Sequence, residues 1–387
     1  MKRILPTIVI AQFFCTSVWF AGNAVMSDIA KQLHLEPAYL AHLTSAVQLG
    51  FIAGTLIFAI LSIADRFSPS RVFFVCALIA ALINLGGCLP GITSTQLILF
   101  RFVTGFFLAG IYPVGMKIAA DHYEAGLGKS LGFLVGALVL GTAFPHLLKS
   151  MSGSLPFKYV MFSTSILSAA GGVAMLLLVP DGPYRKPGQK PKLSGFLNSF
   201  RDKNFRAAAL GYFGHMWELY AFWVFVPVIL TAYKAHHPEV DLNVPLLSFC
   251  IIASGSLSCV IGGLISRRFG VKQTATVALT ISGISCVISP LFLFSGSLPL
   301  FIVFLFVWGM AVIADSPLFS TLIAQSAPPT TKGTSLTIVN CIGFSITIIS
   351  IQLITALRTD ANAQYIYMLL AAGPVLGLVG LMKGQAP

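Results

Sequence analysis

The sequence predicts an all-α polytopic membrane protein, with twelve transmembrane helices in two pseudo-symmetric six-helix bundles. Composition, the lengths of the apolar runs and the placement of the basic residues each point there. The 387 residues are 56% hydrophobic and 9% charged, whereas a soluble domain carries about 25% charged residues. Mean hydropathy is +0.88. A spanning helix needs about 20 mostly apolar residues, so twelve of them consume most of the chain and leave short loops.

The runs follow in order. The first, 4–26, lies behind Met1-Lys2-Arg3. It is too long for a secretory h-region and lacks a small-x-small cleavage site, so it is read as a span. Runs 39–63 and 72–89 are separated by the charged loop at Asp65 and Arg66, and run 96–119 follows Pro90-Gly91. Runs 129–148 and 157–179 complete the first half, the latter stopped by Pro180-Asp181. The second half comprises 206–231, 244–265 (ended by Arg267-Arg268), 273–294, 298–323, 334–356 and 364–383. The domain organisation is therefore 1–180, a linker at 181–205, and 206–387. Within the linker, Leu193, Phe196, Leu197 and Phe200 recur at helical spacing, which suggests a short amphipathic helix on the membrane surface; a loose tether is the alternative.

Charge placement gives orientation. With both termini in the cytoplasm, eighteen of the 24 basic residues fall on that side and five on the other, with Arg101 alone inside a span. This is the positive-inside pattern of a multi-pass plasma (inner) membrane protein. It also accounts for the net charge of +12 without nucleic acid or an acidic partner. The seven cysteines lie in apolar runs without C-x-x-C spacing and read as small core residues, not as a zinc site or disulfide framework. His236-His237 lacks a third ligand at useful spacing, and no phosphate-cradling glycine loop is present. No metal, cofactor, enzymatic chemistry or ATP drive is expected.

The halves repeat. Asp65-Arg66-Phe67-Ser68 after the second run matches Arg267-Arg268-Phe269-Gly270 after the eighth. Thr104-Gly105 with Pro113 matches Trp308-Gly309 with Pro317 at nearly the same offset. Parallel duplication of a six-span unit is an architecture of secondary transporters.

With these residues in view, the chain resembles the major facilitator superfamily over essentially its whole length. That family's G-x-x-x-D-R-x-G-R-R loop is kept here as Asp65, Arg66 and Arg71, with Leu61 and Ser68 where glycines are usual. The resemblance implies a conformational latch at these three charged residues, built on a carboxylate that caps a helix start and pairs with arginines. Arg101, Gly105, Gly110 and Pro113 resemble a second motif. Gly128, Gly132 and Gly136 permit close helix approach, but the paired glycines of the antiporter motif near Gly141 and Pro145 are missing, as are the two arginines of nitrate carriers. Spans 7, 10 and 11 look like those of bacterial permeases whose substrates are not assigned.

Ionisable groups inside a bilayer cost about 2.5–3.5 kcal/mol on insertion scales, which makes each a functional candidate. Glu218 and His215 in span 7, Asp315 in span 10 and Arg101 in span 4 stand out, with His146 nearer the end of span 5. In the family, spans 1, 4, 7 and 10 line the cavity. Glu218 lies roughly 18 Å into its helix, and a carboxyl removed from water holds its proton more readily. It is the leading proton-coupling acid, with an interhelical structural carboxylate as the alternative. Asp315, before Ser316-Pro317, is a second proton site or a kink-stabilising group. His215 shares a helix face with Glu218 and is a relay or a core histidine. Arg101 attracts an anionic group or anchors the bundle. Trp19, Asn23, Gln48, Tyr112, Trp217, Tyr220 and Asn340 supply aromatic walls and hydrogen bonds to a ligand, or pack helices together.

These features predict a monomeric secondary transporter of a small organic solute, proton-coupled and working by alternating access. A receptor that binds without translocating, a lipid translocase and a facilitative uniporter are the alternatives on the same fold.

Overall fold

The computed structural model describes residues 3–36, 38–123, 127–153, 155–185, 199–328 and 332–383. The proposed amphipathic helix of the linker lies almost wholly outside the described residues. The chain forms two compact units, Met1–Pro191 and Lys192–Pro387. Among the described residues all regular structure is helical.

In the first unit the helices are α1 (Ile4–Thr16), α2 (Ala21–Ala24), α3 (Met26–Leu33), α4 (Tyr39–Ile60), α5 (Ile63–Arg66), α6 (Pro69–Leu85), α7 (Ser94–Leu108), α8 (Tyr112–His122), α9 (Leu127–Ser152) and α10 (Lys158–Leu178). The second holds α11 (Lys203–His236), α12 (Val244–Phe269), α13 (Val271–Phe292), α14 (Leu298–Ala314), α15 (Ser316–Ser326), α16 (Lys332–Leu357) and α17 (Ala372–Met382). A 3₁₀ segment, Ile366–Ala371, leads into α17.

Ten stretches among the described residues are long and apolar enough to cross a membrane, with α7–α8 counted as one and α14–α15 as another. They coincide with ten of the twelve expected runs. The other two runs hold shorter apolar helices, Ile4–Thr16 and Ile366–Met382. The first run is not one helix over 4–26: it breaks after Thr16 and resumes as α2 and then α3. The last of these, Met26-Ser-Asp-Ile-Ala-Lys-Gln-Leu33, is amphipathic. Met26 and Ile29 are buried, and Asp28 meets Lys149 of α9 at 2.5 Å.

Two further breaks fall at matching places. The fourth run stops at Leu108 and restarts at Tyr112 with Pro113 in the first turn; the tenth stops at Ala314 and restarts at Ser316 with Pro317. A ring without an N–H suits the first turn of a helix and is costly in its interior, and here each proline stands at the start of the second segment.

Backbones touch where side chains vanish. A Cβ on Gly105 of α7 would lie 1.9 Å from the Val47 carbonyl oxygen of α4, and one on Gly50 would lie 1.9 Å from that of Phe102. In the second unit Gly214 of α11 and Gly373 of α17 face each other's carbonyls at 2.3 and 2.4 Å from such a Cβ. Of the glycines expected to permit close approach in span 5, Gly132 does not make one. A Cβ on Gly132 meets nothing within 4 Å, and the close approach is made by Gly141 against Thr16 and Phe13.

Candidate functional site

Each unit buries a charged centre beside its proline-marked break. In the first, Arg101 of α7 is 2% exposed. Its Nη1 donates to the Val18 carbonyl at 3.1 Å and to Asn84 Oδ1 at 3.2 Å, and its Nη2 donates to the Trp19 carbonyl. The break after α1 explains this geometry: a helix end leaves carbonyls without intrahelical partners, and the guanidinium fork supplies donors to two of them at once. Gly22 leaves the space, since a Cβ there would stand 3.4 Å from Arg101 Nε. Asn84 of α6 is held in turn, its Nδ2 donating to Ser165 Oγ at 3.0 Å, Thr164 Oγ1 at 3.2 Å and the Met161 carbonyl at 3.3 Å. Arg101 thus ties α1, α6, α7 and, through Asn84, α10 together.

Three of the expected ligand-contacting residues gather next to it. Trp19 lies in the turn before α2, its ring 4.9 Å from Phe51 of α4. Asn23 Nδ2 donates to Thr44 Oγ1 at 2.8 Å, while Asn23 Oδ1 has no partner among the described residues. Gln48 lies one turn beyond Thr44 on α4, on the same face; it is fully buried and neither end of its amide has a partner among the described residues. Tyr112 begins α8 at the second break. His146 is buried in α9 with Nε2 unpartnered among the described residues.

In the second unit Glu218 of α11 is 1% exposed. One oxygen, Oε1, accepts from Ser282 Oγ at 2.5 Å, Trp308 Nε1 at 2.6 Å and Cys286 Sγ at 3.1 Å. The carboxylate therefore joins α11 to α13 and α14, which is the arrangement of the interhelical alternative. One turn earlier, His215 Nδ1 stands 2.8 Å from Asp315 Oδ1, with both side chains 1% exposed. Asp315 is the residue at the break between α14 and α15, so the contact links α11 to that break. Neither Asp315 oxygen nor either His215 nitrogen has a hydrogen-bond partner of good geometry among the described residues. The imidazole is flanked by Tyr212 at 6.0 Å and Phe319 at 6.2 Å between ring centres, and Tyr212 donates its hydroxyl to Asn340 Oδ1 of α16 at 2.7 Å.

The sequence-selected set thus divides. His215 meets Asp315 and packs on Tyr212, whose hydroxyl reaches Asn340, while Glu218 is held by donors of α13 and α14. Tyr220 packs on Trp223 and Phe344 at 5.1 and 5.3 Å. Trp217 donates to the Leu369 carbonyl at 3.1 Å, against the segment leading into α17. In the charged loop, Asp65 pairs with Lys117 of α8 at 2.9 Å, not with Arg66 or Arg71, which have no acidic partner within 4.0 Å among the described residues.

Sequence reasoning missed Asn84, Lys117, Ser282, Cys286 and Trp308. Asn84 alone gave a signal, an amide in the apolar run Leu82-Ile83-Asn84-Leu85. Cys286 was read as core filler and is a thiol donor to a carboxylate.

Comparison with known proteins places this arrangement. A 133-residue stretch, 32% of the chain and 32% of its relative, is 28% identical to a Haemophilus influenzae protein named, by inference, for metabolite transport. Over 187 residues, 46% of the chain and 26% of its relative, the sequence is 29% identical to Citrate exporter 1 of Yarrowia lipolytica. These matches span about a third or less of the relatives' own length. The fold is similar to the human organic anion transporter MFSD10 (TETRAN), with a TM-score of 0.77 at 14% identity over 98% of this chain and 99% of that one. It is also similar to a variant of the nucleoside transporter NupG, at 0.73 and 14% over 98% and 100%. The sequence profile of the Major Facilitator Superfamily matches residues 8–351, so the chain belongs to the major facilitator superfamily, a family of multi-pass membrane transporters.

Proposed function

We propose that this transporter is a proton-coupled secondary carrier of a small organic solute in the plasma (inner) membrane, acting as a monomer by alternating access. The observation that carries the reading is the buried His215–Asp315 contact. A carboxylate and an imidazole buried within a membrane span are costly to keep, and here each has little but the other. One proton arriving or leaving changes the pair from ion pair to neutral contact. Because Asp315 sits at a helix break, that change acts on the angle between α14 and α15, as a proton-driven switch requires. In this reading Glu218, held by three donors, is the tether of the unit, and the pair exchanges the proton.

The short apolar helices Ile4–Thr16 and Ile366–Met382 are assigned as the first and last of twelve spans, with both termini cytoplasmic as the basic residues indicate. The Asn23 amide oxygen and the whole Gln48 amide lack partners among the described residues beside the Trp19–Phe51 wall, and they are the proposed polar contacts to solute. The relatives' names cover a citrate exporter, organic anions and nucleosides, so the substrate class stays at small organic solute.

The test uses purified protein. A thermal-shift screen against metabolites selects ligands, since binding to the folded state raises apparent stability. A selected solute is then followed in proteoliposomes. Accumulation against its gradient, abolished by a protonophore, is expected; accumulation that ignores the protonophore would refute coupling.

A further inference from the structure

We propose that the first unit binds the headgroup of an anionic phospholipid in the cavity between the start of α6 and the segment that follows α10. The cavity has a volume of about 480 Å³, with Arg66, Arg71, Arg185 and Asp181 on its polar wall and Leu176 and Val179 on its apolar one. Its charge is unbalanced by construction. Both oxygens of Asp181 are taken, Oδ1 by the Ser68 hydroxyl at 2.6 Å and Oδ2 by Arg185 Nη1 at 2.7 Å. Arg185 Nη2 also donates to the Phe67 and Asp65 carbonyls at 2.8 and 3.0 Å, so Arg185 is part of the wall. Asp65 is spent on Lys117 at 2.9 Å. Arg66 and Arg71 therefore line the cavity as cations with no acidic partner among the described residues. Ser68, the residue before α6, gives its hydroxyl to Asp181 and does not cap the helix, so the positive end of α6 adds to the field there.

Phosphate-bearing ligands fit two forked guanidinium groups. The surroundings favour a lipid over a free anion. Leu177 and Leu178, at the end of α10, are 72% and 62% exposed, and Phe67 is 61% exposed. On a membrane span the two leucines face hydrocarbon, so the cavity stands where a headgroup meets its acyl chains. Basic pockets between spans on the cytoplasmic side suit anionic headgroups, and the positive-inside count assigns this end to that side. The inference does not depend on proton coupling.

The test compares dioleoyl-phosphatidylglycerol, dioleoyl-phosphatidylcholine and inorganic phosphate on the full-length protein in detergent, by native mass spectrometry and thermal shift. The wild type is expected to retain phosphatidylglycerol preferentially and to gain thermal stability from it. Arg66→Gln and Arg71→Gln are each expected to weaken that preference roughly fivefold, and Arg71→Glu to remove it. Arg267→Gln, on the matching loop of the second unit, is expected to leave it unchanged. An undiminished preference in the Arg66→Gln/Arg71→Gln double variant would overturn the site. So would inorganic phosphate that stabilises the wild type as much as the lipid does, because the cavity would then take a free anion.

Discussion

The two units solve the same problem in opposite ways. Each buries a charged residue beside a proline-marked helix break, but Arg101 is answered by two main-chain carbonyls and an asparagine, whereas Asp315 is answered by a single histidine. The acceptors around Arg101 do not titrate in the accessible pH range, so its cage is the same in every protonation state. The partner of Asp315 is an imidazole, a group that can carry or release a proton. A buried charge satisfied by neutral groups is architecture, and a buried charge satisfied by one titratable group can be switched.

The largest effect expected from this contrast is on the rigid side. Arg101→Met removes the donors of three buried acceptors, each costing about 1–3 kcal/mol when left alone, so a loss of about 3 kcal/mol or more should appear as collapse of the thermal transition. Arg101→Lys should recover only part of it, since a point charge cannot replace the fork. A wild-type melting curve for Arg101→Met would erase the contrast.

Next is the scaffold that keeps α4 and α7 in contact. Gly105→Ala forces a Cβ onto a backbone oxygen and is expected to cost about 1–3 kcal/mol. Gly132→Ala, with open space around it, should stabilise by about 0.5–1 kcal/mol through the better helix former. Paired melting curves of the two variants decide whether close approach or composition explains the glycines.

Trp308→Phe sharpens the second unit. It removes one donor from Glu218, and leaving a buried group short of a hydrogen-bond partner costs about 1–3 kcal/mol, with two donors remaining. If Glu218 is a tether, transport per folded molecule should stay near wild type while stability falls. A variant of unchanged stability and lost coupling would return Glu218 to the proton path.

How much of this was legible in the sequence follows from what each feature depends on. The helical spans were readable because lipid demands long apolar runs, and the family was readable from Asp65, Arg66 and Arg101 because those charges stand out against them. The buried acids were readable for the same reason. The donors around Glu218 were not. Ser282, Cys286 and Trp308 are neutral residues in apolar helices, where they look like packing, and only tertiary structure brings them to one carboxylate oxygen. The break after Thr16 was also hidden, since Ser17-Val18-Trp19-Phe20 holds no proline or glycine and a count of apolar residues runs straight across it. The pairing of Asp65 with Lys117 joins two distant helices, which loop motifs alone do not report.

The most direct measurement separates exchange from accumulation in proteoliposomes for Asp315→Asn and Glu218→Gln, using a solute selected by thermal shift. Asp315→Asn is expected to keep solute counterflow while losing gradient-driven accumulation by more than about tenfold, the equivalent of ~1.4 kcal/mol of coupling free energy, and Glu218→Gln is expected to retain both. Full accumulation by Asp315→Asn, or its selective loss in Glu218→Gln, would contradict the assignment of the proton to the His215–Asp315 pair.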